Sequence, residues 1–454
     1  MASAKKQKTE LHPEDAGAVA RFQEFLRIRS ISGEGPSSGA YAESAAWLVA
    51  RAEALGLKST VISPVANKPI VIMEWAGTDP SLESLILNSH YDVVPVMDEH
   101  WTKADPFGAE LKDDGNIYGR GAQDMKCVCV QYLEAIARLL AAGFAPARTV
   151  WLTYVPDEEI GGVDGMGALL KSAQFAAMAP VGLVLDEGLA STTDKYTLFY
   201  GERTPWWVMV KAEGPTGHGS RFIEGTAVSK LVTVANRALD FRREQEDALG
   251  HDAHAGCKHG QAKKLGDVTT LNITMLKAGV SADGGETWAL NVIPTTAEAG
   301  MDIRISPSMK VADVVAKLDE WTEGEGLSWS VAPGMNVMHE HFTTSTDEEK
   351  SPWAAAFKRA AAGLGIELEP EIFPAATDSR FVRQLGLPAF GFSPMANTEI
   401  MLHEHNEYIP RDVFAKGIGI YVGIIETLAS ALPPCGGGGG GAQAAAAAAA
   451  AAAE

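Results

Sequence analysis

Hydrophobic positions in the first part of the chain alternate between short apolar runs and helical patterns. Ser84–Leu87, Thr149–Val155 and Val181–Leu185 are mainly apolar runs of the kind found in buried strands. The periodicity of Ala45–Leu55 and Met125–Leu140 predicts helices. Strands that alternate with helices in this way predict an α/β domain with a mainly parallel sheet.

From about residue 196 the candidate strands become longer, and apolar and polar positions alternate along them. Strands are predicted at Trp206–Lys211, Thr269–Leu276 and Thr295–Ile305. The helix predicted between the first two has its apolar residues on one side: Val228, Leu231, Ala235 and Ala238. This change of pattern predicts a smaller α+β domain.

The α/β pattern returns with a predicted helix at Trp353–Gly363 and strands near Glu369 and at Leu387–Phe392. We therefore expect the smaller domain, at residues 197–311, to be inserted in a larger domain formed by residues 11–196 and 312–432. Residues 433–454 are a low-complexity run of glycine and alanine, which offers nothing to bury on a core.

Composition narrows the possible partners. The 454 residues include 58 acidic and 38 basic side chains, a formal net charge of -20. That balance repels phosphate backbones and anionic lipids, so neither a nucleic acid nor a membrane is expected as a partner. The four cysteines are too few for a disulfide framework, and no apolar stretch near the N-terminus indicates a secretory signal. A cytoplasmic protein with reduced thiols is expected.

Three of the candidate strands run into histidine or acidic residues at their carboxyl ends: His90-Tyr-Asp92, Asp157-Glu-Glu159 and Asp186-Glu187. In open α/β sheets, ligands collect at the carboxyl ends of the strands. One such end would say little, because acidic residues are common in turns. Three together predict an acidic cluster with imidazole, as a divalent metal site requires.

Further candidates lie outside these strands. Asp124 precedes the helix that begins near Met125, and alone it would be interpreted as a helix N-cap. His403 and His405 lie far downstream, and their spacing favours one ligand and one neighbour. The sequence has no H-E-x-x-H, G-x-S-x-G or G-x-x-x-x-G-K-[ST] motif, so metal-assisted hydrolysis is the leading chemistry.

Several ordered motifs carry a family resemblance. The segments NSHYDVVP from Asn88, GAQDMKC from Gly121, VPDEEIGG from Val155 and LDEG from Leu185 resemble signatures of the dinuclear zinc aminoacylase and carboxypeptidase family. ERTPWW, PAATDSR and GFSPM, further along the chain, are more narrowly similar to its aminoacylase members. The match runs in order from about residue 22 to residue 432.

The resemblance implies two zinc ions per subunit and a bridging water as the nucleophile. The metal ligands that it implies, with Asp124 bridging the two ions, are His90, Asp124, Glu159, Glu187 and His403. It makes Glu158 the general base and Asp92 the carboxylate that orients the His90 ring. It also implies a cis peptide bond after Asp124.

The inserted domain resembles the family's lid, which also forms the homodimer. His218 matches a histidine that reaches across the dimer to stabilise the oxyanion of the reaction. Asn291 and Arg304 match lid residues linked to substrate binding, and Arg380 matches a position near the metals that can grip a carboxylate. Two structural alternatives stay open: Asn291 capping a turn, and Arg304 pairing with a nearby acid.

The implied activity is hydrolysis of small N-acyl-L-amino acids to a carboxylate and a free amino acid. A dipeptidase or carboxypeptidase on the same scaffold is one alternative, and a non-catalytic dimeric binding protein is another. The last would predict an eroded site, yet all the matching site residues are present. One insertion, with His251, His254, Cys257 and His259, has no counterpart in the family, and it is either a solvated loop or a third metal site.

Overall fold

The computed structural model describes residues 13–251, 263–333, 335 and 337–430. The helices in this part of the chain are α1 Pro13–Leu26, α2 Gly35–Ser38, α3 Ala40–Leu55, α4 Lys126–Ala141, α5 Met166–Leu169, α6 Ala173–Ala176, α7 Ala227–His251, α8 Val311–Trp321, α9 Pro352–Gly363, α10 Ser379–Gln384 and α11 Arg411–Ala429. The strands are β1 Lys58–Ile62, β2 Ile70–Trp75, β3 Ser84–His90, β4 Glu110–Leu111, β5 Asn116–Tyr118, β6 Val150–Val155, β7 Val181–Asp186, β8 Tyr196–Glu202, β9 Thr204–Glu213, β10 Gly217–His218, β11 Thr270–Ala278, β12 Val292–Ile293, β13 Thr296–Ile305, β14 Leu327–Val331, β15 Leu368–Phe373, β16 Ala389–Gly391 and β17 Tyr408–Pro410.

These residues form two compact units. The first comprises the described parts of 1–200, 343–370 and 377–454, and the second comprises those of 201–342 and 371–376. None of the described helices combines the length and the apolar character that a membrane span requires. Residues 252–262, which hold most of the histidine-rich insertion, and the tail at 433–454 lie outside the described residues.

The first unit is built on a sheet with the strand order β1-β2-β6-β3-β7-β16-β8-β15. Its central strands β6, β3, β7 and β16 pair in parallel, as predicted, whereas β1, β2 and β8 pair antiparallel at the flanks. Strands β3 and β7 are buried along their whole length, and they contain the mainly apolar runs Ser84–Leu87 and Val181–Leu185. The predicted α/β fold is confirmed.

The second unit has a four-stranded antiparallel sheet with the order β11-β13-β9-β14, and α7 and α8 contribute to its core. Strand β9 buries alternate residues, as expected for a sheet with one face on a core. The prediction for α7 is partly wrong, because Val228 is exposed. Leu231 and Ala238 are buried as predicted, but the rest of the buried face lies one position earlier, at Ala227 and Val234, and continues to Phe241.

The second unit extends beyond the predicted boundary at residue 311. Strand β14 pairs with β9 along Leu327–Val331, so it belongs to the second sheet. Helix α8 packs Val311, Val314 and Leu318 on the same core. The chain between residues 312 and 342 therefore completes the smaller unit, and it does not return to the larger one as the sequence pattern predicted.

Candidate metal centre

The carboxyl ends of three neighbouring strands form the floor of the centre. Strand β3 lies between β6 and β7 in parallel, and the register sets His90 opposite Val155. His90 is the last residue of β3, while Glu187 directly follows β7. Glu158 and Glu159 follow β6 in a short 3-10 turn at Glu158–Ile160. The structure thus brings the three predicted strand ends together at one edge of the sheet.

The turn after β6 depends on backbone conformations that are rare for most residues. Asp157 lies in the left-handed region at φ 63°, and Gly161 and Gly162 continue the turn at φ 108° and 64°. A Cβ added at Gly162 would lie 2.3 Å from Oδ1 of Asp378, so this position requires glycine. The compact turn allows Glu158 and Glu159 to face the same centre.

Asp124 lies between two histidines. Its Oδ1 is 3.0 Å from Nε2 of His90, and its Oδ2 is 3.1 Å from Nε2 of His403. The second imidazole also lies 2.9 Å from Oε2 of Glu159. The peptide bond between Asp124 and Met125 is cis, in agreement with the resemblance. A carboxylate that reaches one imidazole with each oxygen has the geometry of a bridging ligand.

Two further carboxylates surround His90. Oε2 of Glu187 lies 3.7 Å from Nε2 of His90. Ligand atoms of His90, Glu158 and Glu187 lie within 4.8 Å of one another, as do those of His90, Asp124 and Glu159. His90 is 1 % exposed and the His403 side chain 52 %, so one end of the centre is buried and the other is open.

Asp92 supports the centre from behind. Its backbone oxygen lies 3.0 Å from Nδ1 of His90, and Oδ1 lies 3.4 Å from the same nitrogen. Its carboxylate also accepts hydrogen bonds from the backbone N–H groups of Glu158 at 3.2 Å and Glu159 at 3.3 Å. Ser32 donates a further hydrogen bond at 2.8 Å. Asp92 therefore holds both the ring of His90 and the turn that follows β6.

The buried carboxylates carry raised pKa values. Burial, followed by the charge of Glu187, raises the pKa of Glu158 well above its ordinary value. Burial and the charge of Asp124 raise the pKa of Glu187 in the same direction, and they raise that of Glu159 to about 7. Crowded carboxylates of this kind are costly without a cation, because they repel one another in a poorly solvated site.

The histidines respond to the same acids. Hydrogen bonds with Asp124 and Glu159 raise the pKa of His403 to about 10. Burial alone would lower the pKa of His90. Its hydrogen bonds with Asp124, Asp92 and Glu187 outweigh burial and raise this pKa well above its ordinary value. Burial would raise the pKa of Asp124, yet the two histidines lower it. The carboxylates of the centre therefore favour positive charge on both imidazoles.

The donor set fits divalent metal ions. Two imidazoles and a group of carboxylates converge, and Oε1 of Glu159 is buried without a hydrogen-bond partner among the described residues. Imidazole and carboxylate are preferred ligands of zinc and related ions. Oxygens of Asp124 and Glu187 lie within 3.7 Å of Nε2 of His90, and oxygens of Asp124 and Glu159 lie within 3.1 Å of Nε2 of His403, so each set is a candidate metal position.

Sequence reasoning missed the residues that hold the loops of the centre in place. Glu407 is fully buried and pairs with Arg120, whose Nη1 lies 2.9 Å from its Oε2. Gln123 hydrogen-bonds to the backbone of Glu399 and Tyr408. Glu407 lies four residues after His403, Arg120 lies four residues before Asp124, and Gln123 directly precedes Asp124. Closeness to candidate ligands was the available signal, but it does not reveal which groups pair.

The predicted lid residues lie in the second unit. His218 is exposed, with Nδ1 2.8 Å from Oγ of Ser220, and Asn291 is exposed with its backbone oxygen bonded to Gly219 N–H. Arg304 donates two hydrogen bonds to Asp302, at 2.7 and 3.0 Å. Arg304 therefore pairs with an acid of its own strand, β13.

Arg380 lies in the first unit, next to the turn that carries Glu158 and Glu159. Its Nη2 donates a hydrogen bond to the backbone oxygen of Gly161 at 2.7 Å, and its Nη1 donates to that of Thr377 at 3.0 Å. The guanidinium also lies over the ring of Phe381. Arg380 therefore braces the glycine turn beside the centre.

Comparison with known proteins agrees with this geometry. A model of peptidase family M20/M25/M40 matches residues 86–427. Aminoacylase-1 of Dictyostelium discoideum is 47 % identical over 91 % of this chain and 97 % of its own length. Aminoacylase-1 of Homo sapiens is 42 % identical over 92 % of this chain and 98 % of its own. The chain belongs to peptidase family M20/M25/M40.

Within that family, the resemblance to aminoacylase I is confirmed, because several relatives of more than 40 % identity carry that name. Solved structures share the fold at lower identity. A tripeptidase from Staphylococcus aureus has a TM-score of 0.67 at 18 % identity and covers 91 % of this chain and 98 % of its own. A dinuclear metal-binding peptidase from Bacillus subtilis has a TM-score of 0.63 at 13 % identity and covers 91 % of this chain and 98 % of its own.

Proposed function

We propose that this protein is a zinc-dependent aminoacylase that hydrolyses N-acyl-L-amino acids to a carboxylate and a free L-amino acid. The observation that carries the proposal is the position of Asp124 between His90 and His403, with Glu158 beside them, in a chain 47 % identical to an aminoacylase-1. Two positions that share one carboxylate are suited to a pair of ions.

Each ligand has a proposed place. His90 and Glu187 hold one zinc ion, His403 and Glu159 hold the other, and Asp124 bridges them. When bound, the ions supply the Lewis acidity that activates water and an amide carbonyl at neutral pH. Asp92 fixes the ring of His90 through Nδ1, which leaves Nε2 directed into the centre.

Glu158 is the proposed general base. Its carboxylate is buried at the centre, and burial together with the charge of Glu187 raises its pKa well above that of an exposed glutamate. A base with such a pKa can accept a proton from water and return it to a leaving group. Glu158 therefore takes the water proton on a carboxylate oxygen and delivers it to the amide nitrogen as the bond to the acyl carbon breaks.

The remaining roles belong to the same proposal. The second unit forms a homodimer, in which His218 of each subunit donates to the oxyanion in the site of the other. Asn291 and Arg304 contact the substrate from the second unit, and Arg380 attracts its carboxylate. The proposed compartment is the cytoplasm, where thiols such as the buried Cys127 and Cys129 stay reduced.

Paired substrates test the proposal. Zinc-loaded protein is assayed with N-acetyl-L-methionine and with an unblocked dipeptide that contains methionine, and zinc content is measured on the same sample. An aminoacylase hydrolyses the first substrate faster by at least tenfold in kcat/KM. Faster cleavage of the dipeptide would assign the chain to the peptidase alternative. Hydrolysis of neither substrate by protein that contains zinc would favour the non-catalytic alternative.

A further inference from the structure

Glu407 is a buried carboxylate with both oxygens in use. Its Oε2 accepts hydrogen bonds from Nη1 of Arg120 at 2.9 Å and from the N–H of Gly121 at 3.1 Å. Its Oε1 accepts from the N–H groups of Gln123 at 2.6 Å and Asp124 at 3.3 Å. A carboxylate that collects several backbone N–H groups and a guanidinium fixes the loop that presents them.

Gln123 and Arg120 make the return connections from the Asp124 loop. The side-chain amide of Gln123 donates to the backbone oxygens of Glu399 and Tyr408, at 2.9 and 2.8 Å. Its Oε1 accepts the N–H of Met401 at 3.0 Å. Nη2 of Arg120 donates to the backbone oxygen of His403 at 3.4 Å. The segment from Glu399 to Tyr408, which carries His403, is thus attached to the Asp124 loop on both sides of that histidine.

The two ends of the metal centre depend on these contacts to different degrees. His90 is the last residue of β3 and Glu187 directly follows β7, so the central sheet holds both without help from the 399–408 segment. His403 lies in a turn at φ 61°, and about half of its side chain is exposed. It has no regular element of its own to hold it.

We propose that Glu407 is a positioning residue that sets the affinity of the metal position formed by Asp124, Glu159 and His403. The position formed by His90, Asp124 and Glu187 depends on it less, because the central sheet holds two of its three ligands. The inference rests on the proposed two-metal function. Glu407 acts through backbone hydrogen bonds and contacts neither substrate nor metal. Its effect appears in the occupancy of one of the two positions.

Glu407→Gln is the direct test. Because both carboxylate oxygens accept hydrogen bonds, either orientation of the amide turns its NH₂ group toward a backbone N–H and leaves that donor unpaired. Gln123→Met is an independent variant that removes the side-chain contacts of Gln123 with Glu399, Met401 and Tyr408 and keeps Glu407. Glu134→Gln is a matched control, because Glu134 is also a mostly buried carboxylate paired with an arginine, Arg21, at 2.5 Å.

The readout is a titration of the metal-free proteins with Co²⁺ alone, followed by visible absorption, which resolves the first and second equivalents. We expect wild-type protein and the Glu134→Gln control to bind two equivalents of Co²⁺. In Glu407→Gln we expect the second dissociation constant to rise by about 10- to 100-fold, the range for residues that orient metal ligands, with the first within about threefold. Gln123→Met shifts in the same direction, and it decides the test if Glu407→Gln does not fold.

Equal weakening of both equivalents, or no weakening of the second, in a folded variant would overturn the positioning role and leave the two-metal proposal standing. Wild-type protein that binds fewer than two equivalents would overturn the two-metal proposal, and the inference with it. Weakening of the second equivalent in the Glu134→Gln control to the same extent would also refute a specific role, since any buried ion pair would then suffice.

Discussion

Replacing Asp92 with asparagine removes one charge and one acceptor from the back of the metal centre. Asp92 is fully buried, and its two oxygens accept the N–H groups of Glu158 and Glu159 separately. In the variant, the amide NH₂ group faces one of these donors whichever way it is oriented. One backbone N–H in the turn after β6 is therefore left without an acceptor.

The size of the expected effect follows from this one unpaired backbone N–H. A buried donor left unpaired costs about 1–3 kcal/mol. The turn carries both Glu159 and Glu158, and the ring of His90 also loses part of its support at Nδ1. If the turn shifts to relieve the cost, the loss appears in metal binding or catalysis as about 10- to 100-fold.

Two measurements check this prediction: zinc affinity by competition with a chromophoric chelator, and kcat/KM at saturating zinc. We expect Asp92→Asn to lose about 10- to 100-fold in at least one of them. Asp240→Asn is the control, because Asp240 pairs with Arg243 on an exposed part of α7 and should change neither. The reasoning is refuted if the folded Asp92→Asn protein stays within twofold of wild type in both.

The other predictions concern the proposed general base Glu158, the protons on the metal ligands and a nearby ion pair. Glu158→Gln should retain zinc and lose about 100- to 10,000-fold in kcat; near-normal turnover of the zinc-loaded variant would exclude Glu158 as the base. Zinc binding at pH 7 should release protons, because the pKa of His403 is about 10 and a metal ligand must be deprotonated, so the affinity for zinc should rise with pH up to about 10. Calorimetry in buffers of different ionisation enthalpy measures the release. Zinc binding without proton release would contradict the assignment of His403 as a ligand. Lys68→Met should lower the free energy of unfolding in urea by about 3 kcal/mol, since it leaves buried Asp157 without its cation, whereas Lys58→Met, at an exposed pair, should cost under about 1 kcal/mol.

Strands β3, β6 and β7 could be predicted because each is largely buried and contains a mainly apolar run. Helix α11 could not be predicted from its sequence pattern. It contains Gly417, Gly419 and Gly423, which weaken a helical pattern. The structure explains Gly417, where an added Cβ would lie 2.2 Å from the Gln131 side chain, so close packing of α11 on α4 requires glycine. That reason depends on a contact with another helix, which periodicity does not contain.

The candidate site likewise contains residues that could be predicted from the sequence and residues that could not. His90, Asp124, Glu159 and Glu187 could be named because they follow predicted elements or lie in recognisable motifs, and their chemistry depends on residue type. The bond between Arg120 and Glu407 joins positions 287 residues apart, and nothing local to either one predicts the other. Residues that hold ligands in place are therefore less visible in a sequence than the ligands themselves.

Every role proposed for the metal centre depends on metal-dependent hydrolysis of an N-acyl amino acid. The decisive measurement is the rate of N-acetyl-L-methionine hydrolysis as zinc is titrated back into exhaustively chelated protein. We expect no turnover without metal and a rise to a plateau at two equivalents per chain. Full activity after chelation, with zinc shown to be absent from the sample, would contradict it.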